Sequence, residues 1–90
     1  MRTEDLKLDG NAIGGLLLEV FGVELTAATS VCRSCGAHEH VARLDVYVNA
    51  PGVVVRCRSC QAVMIRIVRA PGRTWLDLSG TGTLELPGPD

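Results

Sequence analysis

The chain has 90 residues, of which 47% are apolar and 3% aromatic, with four cysteines and a formal net charge of −1. These values exclude a disordered chain, a second full domain and a binder that is basic overall. A chain this short buries only about 60% of its unfolded surface, so a core of Val, Leu and Ile needs an added staple.

The start, Met1-Arg2-Thr3-Glu4-Asp5, is acidic and no apolar run stands behind it. It predicts no signal peptide and a cytoplasmic location. Apolar runs such as Leu16-Leu17-Leu18 and Val53-Val54-Val55 fall far short of the ~20 residues of a membrane span. Residues 1–8 read as a loose acidic lead-in. Asp9 is placed to cap a helix, and Ile13, Leu16, Leu17 and Val20 fall on one face of it. Gly22 stops it. Gly14 and Gly15 each cost this helix up to ~1 kcal/mol against Ala, so it must dock on a surface. Its own sheet is the expected surface; a partner chain is the other.

From Val23 the apolar period becomes two. Val23, Leu25, Ala27, Thr29 and Val31 predict a strand entering Cys32. Ala42, Leu44, Val46 and Val48 predict a second strand, alternating with Arg43, Asp45, Tyr47 and Asn49. Ala50-Pro51-Gly52 is a turn signal, with Pro and Gly suited to the two central positions of a type II turn. Val53 to Arg56 rises into Cys57, and Val63, Ile65 and Ile67 leave Cys60 with Arg66 on the opposite face. Ala70-Pro71-Gly72 repeats the turn. Thr74, Leu76 and Leu78 then alternate with Trp75 and Asp77, and Leu84 and Leu86 add a short last strand. The expected fold is α+β: one small antiparallel sheet carrying two CxxC knuckles, with the N-terminal helix packed on it. Residues 1–22 form the lead-in and helix, 23–86 the β domain and 87–90 a flexible tail.

The cysteines carry the chemistry. They fall as Cys32-x2-Cys35 and Cys57-x2-Cys60, with 21 residues between the pairs. A C-x-x-C turn directs two sulfurs at one point, and two such turns complete a tetrahedron of thiolates. The segments Cys32-Arg33-Ser34-Cys35-Gly36-Ala37 and Cys57-Arg58-Ser59-Cys60-Gln61-Ala62 agree everywhere except at Gly36 and Gln61. Gly36 accepts a positive φ freely; Gln61 does not, which makes the second knuckle less ideal. Arg33, Arg56 and Arg58 favour deprotonated thiols. One structural Zn²⁺ on Cys32, Cys35, Cys57 and Cys60 is the expected cofactor. His38 and His40 read as solvated residues after the first knuckle, since four thiolates already close the site.

This arrangement resembles the zinc-ribbon superfamily over residues 31–68. The whole pattern is similar to an uncharacterised family of small bacterial zinc-ribbon proteins. That similarity lies in Leu8-Asp9-Gly10-Asn11-Ala12, both knuckles, and the run Arg69-Ala70-Pro71-Gly72-Arg73-Thr74-Trp75-Leu76-Asp77-Leu78. It implies a metal ribbon and assigns no substrate. The first knuckle, C-R-S-C-G, also resembles those of rubredoxins, where four cysteines hold one iron. That resemblance gives a less favoured reading: a mononuclear iron electron carrier partnering an oxidoreductase.

Charge divides by segment. Residues 1–31 and 74–90 each carry −3, while 32–73 carries +5, with every base an arginine. Arg43, Tyr47, Arg66 and Trp75 are expected outside the apolar layer, as a face for a partner protein. Nucleic acid is the alternative ligand, opposed by the acidic ends and by only two aromatics. Tyr47 and Trp75 lying under the helix is the structural alternative. No enzyme is expected. Gly10-Asn11-Ala12-Ile13-Gly14-Gly15 lacks the Lys-Ser/Thr of a P-loop, and Gly80-Thr81-Gly82 lacks the third glycine of a dinucleotide loop. Nothing indicates a small-molecule substrate or a membrane.

Overall fold

The computed structural model describes residues 7–49 and 52–87. Strand β1 (Lys7–Asp9) opens it, followed by a 3-10 turn (Gly10–Ile13) and helix α1 (Gly14–Phe21). Asp9 is the cap: the Ala12 N–H donates to its Oδ1 at 3.1 Å. Gly22 ends α1 in the left-handed region at φ 74°, its N–H bonded to the Leu18 carbonyl. The Gly22 stop signal holds, whereas Asp9 caps the 3-10 turn that leads into α1, and α1 itself starts after Ile13 with no side-chain cap. The expected loose lead-in is in part a strand, because Lys7, Leu8 and Asp9 pair with Tyr47, Val46 and Asp45. Residues 1–6 of that lead-in, and 88–90 of the expected tail, lie outside the described residues.

The remaining strands are β2 (Thr29–Cys32), β3 (His38–His40), β4 (Asp45–Asn49), β5 (Gly52–Arg56), β6 (Val63–Ala70), β7 (Arg73–Asp77) and β8 (Thr81–Glu85). They form two antiparallel sheets, in the orders β1-β4-β5-β6-β7 and β3-β2-β8, rather than the single sheet expected. The expected strand from Val23 is shorter and has the opposite face inward. A 3-10 turn (Leu25–Ala27) intervenes, and Ala28, Ser30 and Cys32 are buried where Ala27, Thr29 and Val31 were expected. The turn shifts the phase by one residue, which moves every later side chain to the other side. The strand expected from Ala42 likewise begins later, because Val41–Arg43 is a 3-10 turn. Arg43 therefore sits off the sheet.

The core unites Ile13, Leu17, Leu25, Val41 and Leu44 with the inner sheet face, where Val46, Val53, Val55, Ile65 and Ile67 are buried. The helix thus packs on its own sheet. Glu19 on α1 and Arg69 on β6 form a 3.0 Å ion pair across this packing. Both side chains are about half exposed, so the pair is worth little beyond orientation. A register shift opposite Val55 and Arg56 inserts one residue into β6, and Met64 and Ile65 are consequently both buried.

Between β6 and β7 the predicted turn is present, with Gly72 at φ 79°. Of the other predicted turn, Ala50 and Pro51 lie outside the described residues. After β7 the chain crosses back to the first hairpin. Here Gly80 lies so close to β6 that a Cβ would stand 1.9 Å from the Val63 carbonyl oxygen. Its own carbonyl accepts from the Arg33 N–H at 3.0 Å, and the Thr81 hydroxyl donates to the Met64 carbonyl at 3.2 Å. Residues 79–81 therefore strap the two hairpins together.

Candidate metal centre

Each knuckle follows a strand and closes on the same two backbone bonds. In the first, Cys32 N–H donates to Ala37 O (2.9 Å) and Gly36 N–H to Cys32 O (2.8 Å). In the second, Cys57 N–H donates to Ala62 O and Gln61 N–H to Cys57 O, both at 2.9 Å. The internal repeat in the sequence is thus a repeat of conformation, down to the left-handed residue: Gly36 at φ 78° and Gln61 at φ 64°.

The four Sγ atoms lie within 4.8 Å of one another. Across the knuckles, Cys32 meets Cys60 at 3.7 Å and Cys35 meets Cys57 at 3.6 Å. A tetrahedron with metal–sulfur bonds of about 2.3 Å has edges of about 3.8 Å, so the thiols are spaced to hold one ion. Cys32 and Cys57 are buried and Cys35 and Cys60 exposed, so each knuckle contributes one of each. His38 and His40 are exposed on β3 and stand apart from the cluster, as expected, although on a strand rather than in a loop.

Backbone dipoles prepare the sulfurs. The N–H of Cys35, helped by that of Ser34, outweighs desolvation and brings the Cys32 thiol down to about 7. At Cys35 the Ala37 N–H pulls the same way, but desolvation and the three neighbouring thiols prevail and push it up to about 12. A cation at the centre would offset the mutual repulsion of thiolates held this close together. In the second knuckle the Ser59 N–H points at Cys57 Sγ at 3.4 Å.

Two of the three arginines expected to offset the thiolates act as braces. Arg33 donates to the Ser79 carbonyl at 3.5 Å and Arg56 to the Gln61 carbonyl at 2.8 Å, while Arg58 is exposed. Around Gln61 lies a network that the sequence reading did not assemble. Its Nε2 donates to Asp45 Oδ2 at 2.6 Å and to Cys57 O at 3.1 Å, and Tyr47 Oη donates to its Oε1 at 3.3 Å. Arg56 also stacks on the Tyr47 ring, 5.8 Å from its centroid. The available signal was the single mismatch between the knuckles.

Strand register places the other singled-out residues. Tyr47 pairs with Val54, Val54 with Arg66 and Arg66 with Asp77, so all four share the outer sheet face. Trp75, two residues from Asp77, is on that face and 51% exposed. The alternative of Tyr47 and Trp75 beneath the helix is overturned, since α1 covers the opposite face. Arg43, in its 3-10 turn, is not part of the group.

Fold and site together define a small α+β protein with one tetrathiol centre able to bind a metal ion. It belongs to a family of unknown function, DUF6510, whose pattern matches residues 2–89. Neither the curated proteins nor the solved structures include a match to the chain. Among the described residues, no helix is long and apolar enough to cross a membrane.

Proposed function

We propose that this protein is a non-enzymatic zinc ribbon in which one Zn²⁺ on Cys32, Cys35, Cys57 and Cys60 fixes two hairpins, and whose outer sheet face docks a protein partner. The observation that carries this reading is the four-thiol cluster at tetrahedral spacing, delivered by two knuckles of one conformation. Four protein thiolates leave no coordination position for water or substrate, which favours a structural ion over a catalytic one. Such an ion, when bound, supplies on the order of 10 kcal/mol to folding, the staple a chain of this length needs.

The outer face supports the docking role. Tyr47, Arg66 and Trp75 are residue types that dominate binding energy at protein interfaces, and half-buried Val54 and Val68 lie between them. Arg56 and Arg73 add positive charge on the same side, which suits an acidic partner surface.

Metal content and visible absorbance of anaerobically purified protein test the reading. One colourless zinc per chain supports it. A coloured, redox-active iron centre overturns the zinc assignment and makes the protein an electron carrier.

A further inference from the structure

We propose that β7 is a dimerisation edge, through which a second copy of the chain adds its own β7 antiparallel about a two-fold axis at Trp75. This goes beyond the docking face above and does not depend on which metal the thiols hold.

Strand β7 lies at the end of the five-stranded sheet, and all five of its residues are exposed. Trp75 is 51% and Leu76 44% exposed, on opposite faces of the strand. Natural edge strands are blunted by shortness, bulges, proline or charge. This one has five residues in unbroken register, with no bulge or proline, and its two charges, Arg73 and Asp77, are of opposite sign, so a second copy can pair them. The edges at β1 and β3 have three residues each.

The register follows from the turn. Pro71 and Gly72 alone separate Ala70 from Arg73, which makes that pair hydrogen-bonded. Bonded pairs then recur at Val68 with Trp75 and Arg66 with Asp77. Thr74 and Leu76 therefore turn their N–H and C=O groups to the open edge. Those two residues must face each other, or themselves, in any added antiparallel strand. With Thr74 opposite Leu76 of the second copy, Trp75 meets Trp75 in a close non-bonded pair. Arg73 then meets Asp77, twice. Centring the axis on Thr74 or on Leu76 instead sets a charged residue opposite Trp75. Only the Trp75-centred register is self-complementary in charge, as an isologous interface requires. Strand β8 has the same length and an open edge, but its Glu85 has no cation within the strand to meet.

Asp77 is suited to the role. The Ser79 side chain and backbone N–H, with Arg66 beside it, hold its carboxyl below the usual range. One oxygen accepts from Ser79 N–H at 2.9 Å, and a carboxylate has further acceptor capacity for a guanidinium. The paired sheets would carry Arg66, Asp77 and the second copy's Arg73 in one alternating row.

Sedimentation of the metal-loaded full chain across the micromolar range tests this, with metal content and far-UV circular dichroism read on every sample. The wild type is expected to dimerise, with a blue shift of Trp75 emission as concentration rises. Arg73→Asp should weaken the dimer at least tenfold, and adding Asp77→Arg to it should restore the dimer. Thr74→Pro removes an edge N–H without touching the β6 ladder and should give a monomer. A wild type that stays monomeric overturns the proposal. So does a dimer indifferent to Arg73→Asp, or a charge swap that fails to rescue. If Thr74→Pro loses its metal, the charge-swap pair decides alone. Loss of metal from the wild type would count against the zinc reading, and the sedimentation result would stand apart from it.

Discussion

Gly36 and Gln61 occupy the same place in two knuckles that share their backbone bonds, both at positive φ, yet only one of them is a glycine. A side chain in the left-handed region costs about 1–2 kcal/mol. At Gln61 this is offset by the side chain itself, whose amide bridges buried Asp45 and the Cys57 carbonyl while accepting from Tyr47. The second knuckle is thus held from outside, by β4, and the first by its own glycine. Substitutions should separate the two effects. Gln61→Ala keeps the strain and loses the bonds, costing about 2–3 kcal/mol. Gln61→Gly loses the bonds but relieves the strain, and should cost about half as much. Thermal or urea unfolding of the metal-loaded variants gives the order; Ala at or above Gly would contradict it.

Cys57→Ser removes a buried ligand from the cluster. With structural metal contributions on the order of 10 kcal/mol, comparable to the whole stability of a small domain, this variant should neither retain metal nor fold. A strong chelator should unfold the wild type in the same way. Circular dichroism with metal analysis checks both. A soluble, well-folded Cys57→Ser protein would end the structural-metal interpretation.

Two glycines should respond to alanine with opposite signs. At Gly80 the added methyl would strike the Val63 carbonyl and the Met64 backbone, neither of which is a flexible side-chain end. A loss of at least about 2 kcal/mol is expected, with weaker metal retention, because this contact straps one hairpin to the other. At Gly15 a methyl meets nothing within 4 Å and lies in a helix. There the exchange should stabilise by about 0.5 kcal/mol. Denaturant melts of the pair measure both.

Arg66→Glu tests the outer face. Arg66 is exposed and stands opposite Asp77. Like charges there should cost only a few tenths of a kcal/mol, with metal content unchanged. Capture of a partner by the wild type and not by this variant supports the docking role. Binding to single-stranded nucleic acid that weakens steeply with salt would instead favour the alternative ligand.

Most of the site was legible from the chain. Spacing alone located the four thiols, and the repeat around them anticipated the shared turn. Gly22 marked the end of the helix, and Asp9 the start of the 3-10 turn that leads into it, because capping is local chemistry. Apolar alternation erred where 3-10 turns intervened, at Leu25–Ala27 and Val41–Arg43, since a turn of three changes the phase without changing composition. The second sheet was hidden for another reason: β2 pairs with β8, about fifty residues away, and no local pattern encodes that choice. Gly80 was read against a nucleotide loop and set aside, because a glycine required by a distant carbonyl looks like any other in sequence.

That distant pairing also bears on how the chain is made. Strand β8 is the last of the described strands to be synthesised, and it completes the sheet that carries the first cysteine pair. Cys32 and Cys35 leave the ribosome early but gain their flanking strand only at the end. A nascent chain stopped after β6 would contain every ligand and still lack the strap at residues 79–81. The shortest segment that coordinates is therefore not the shortest that folds, and a fragment cut to the motif would bind metal more weakly than the full chain.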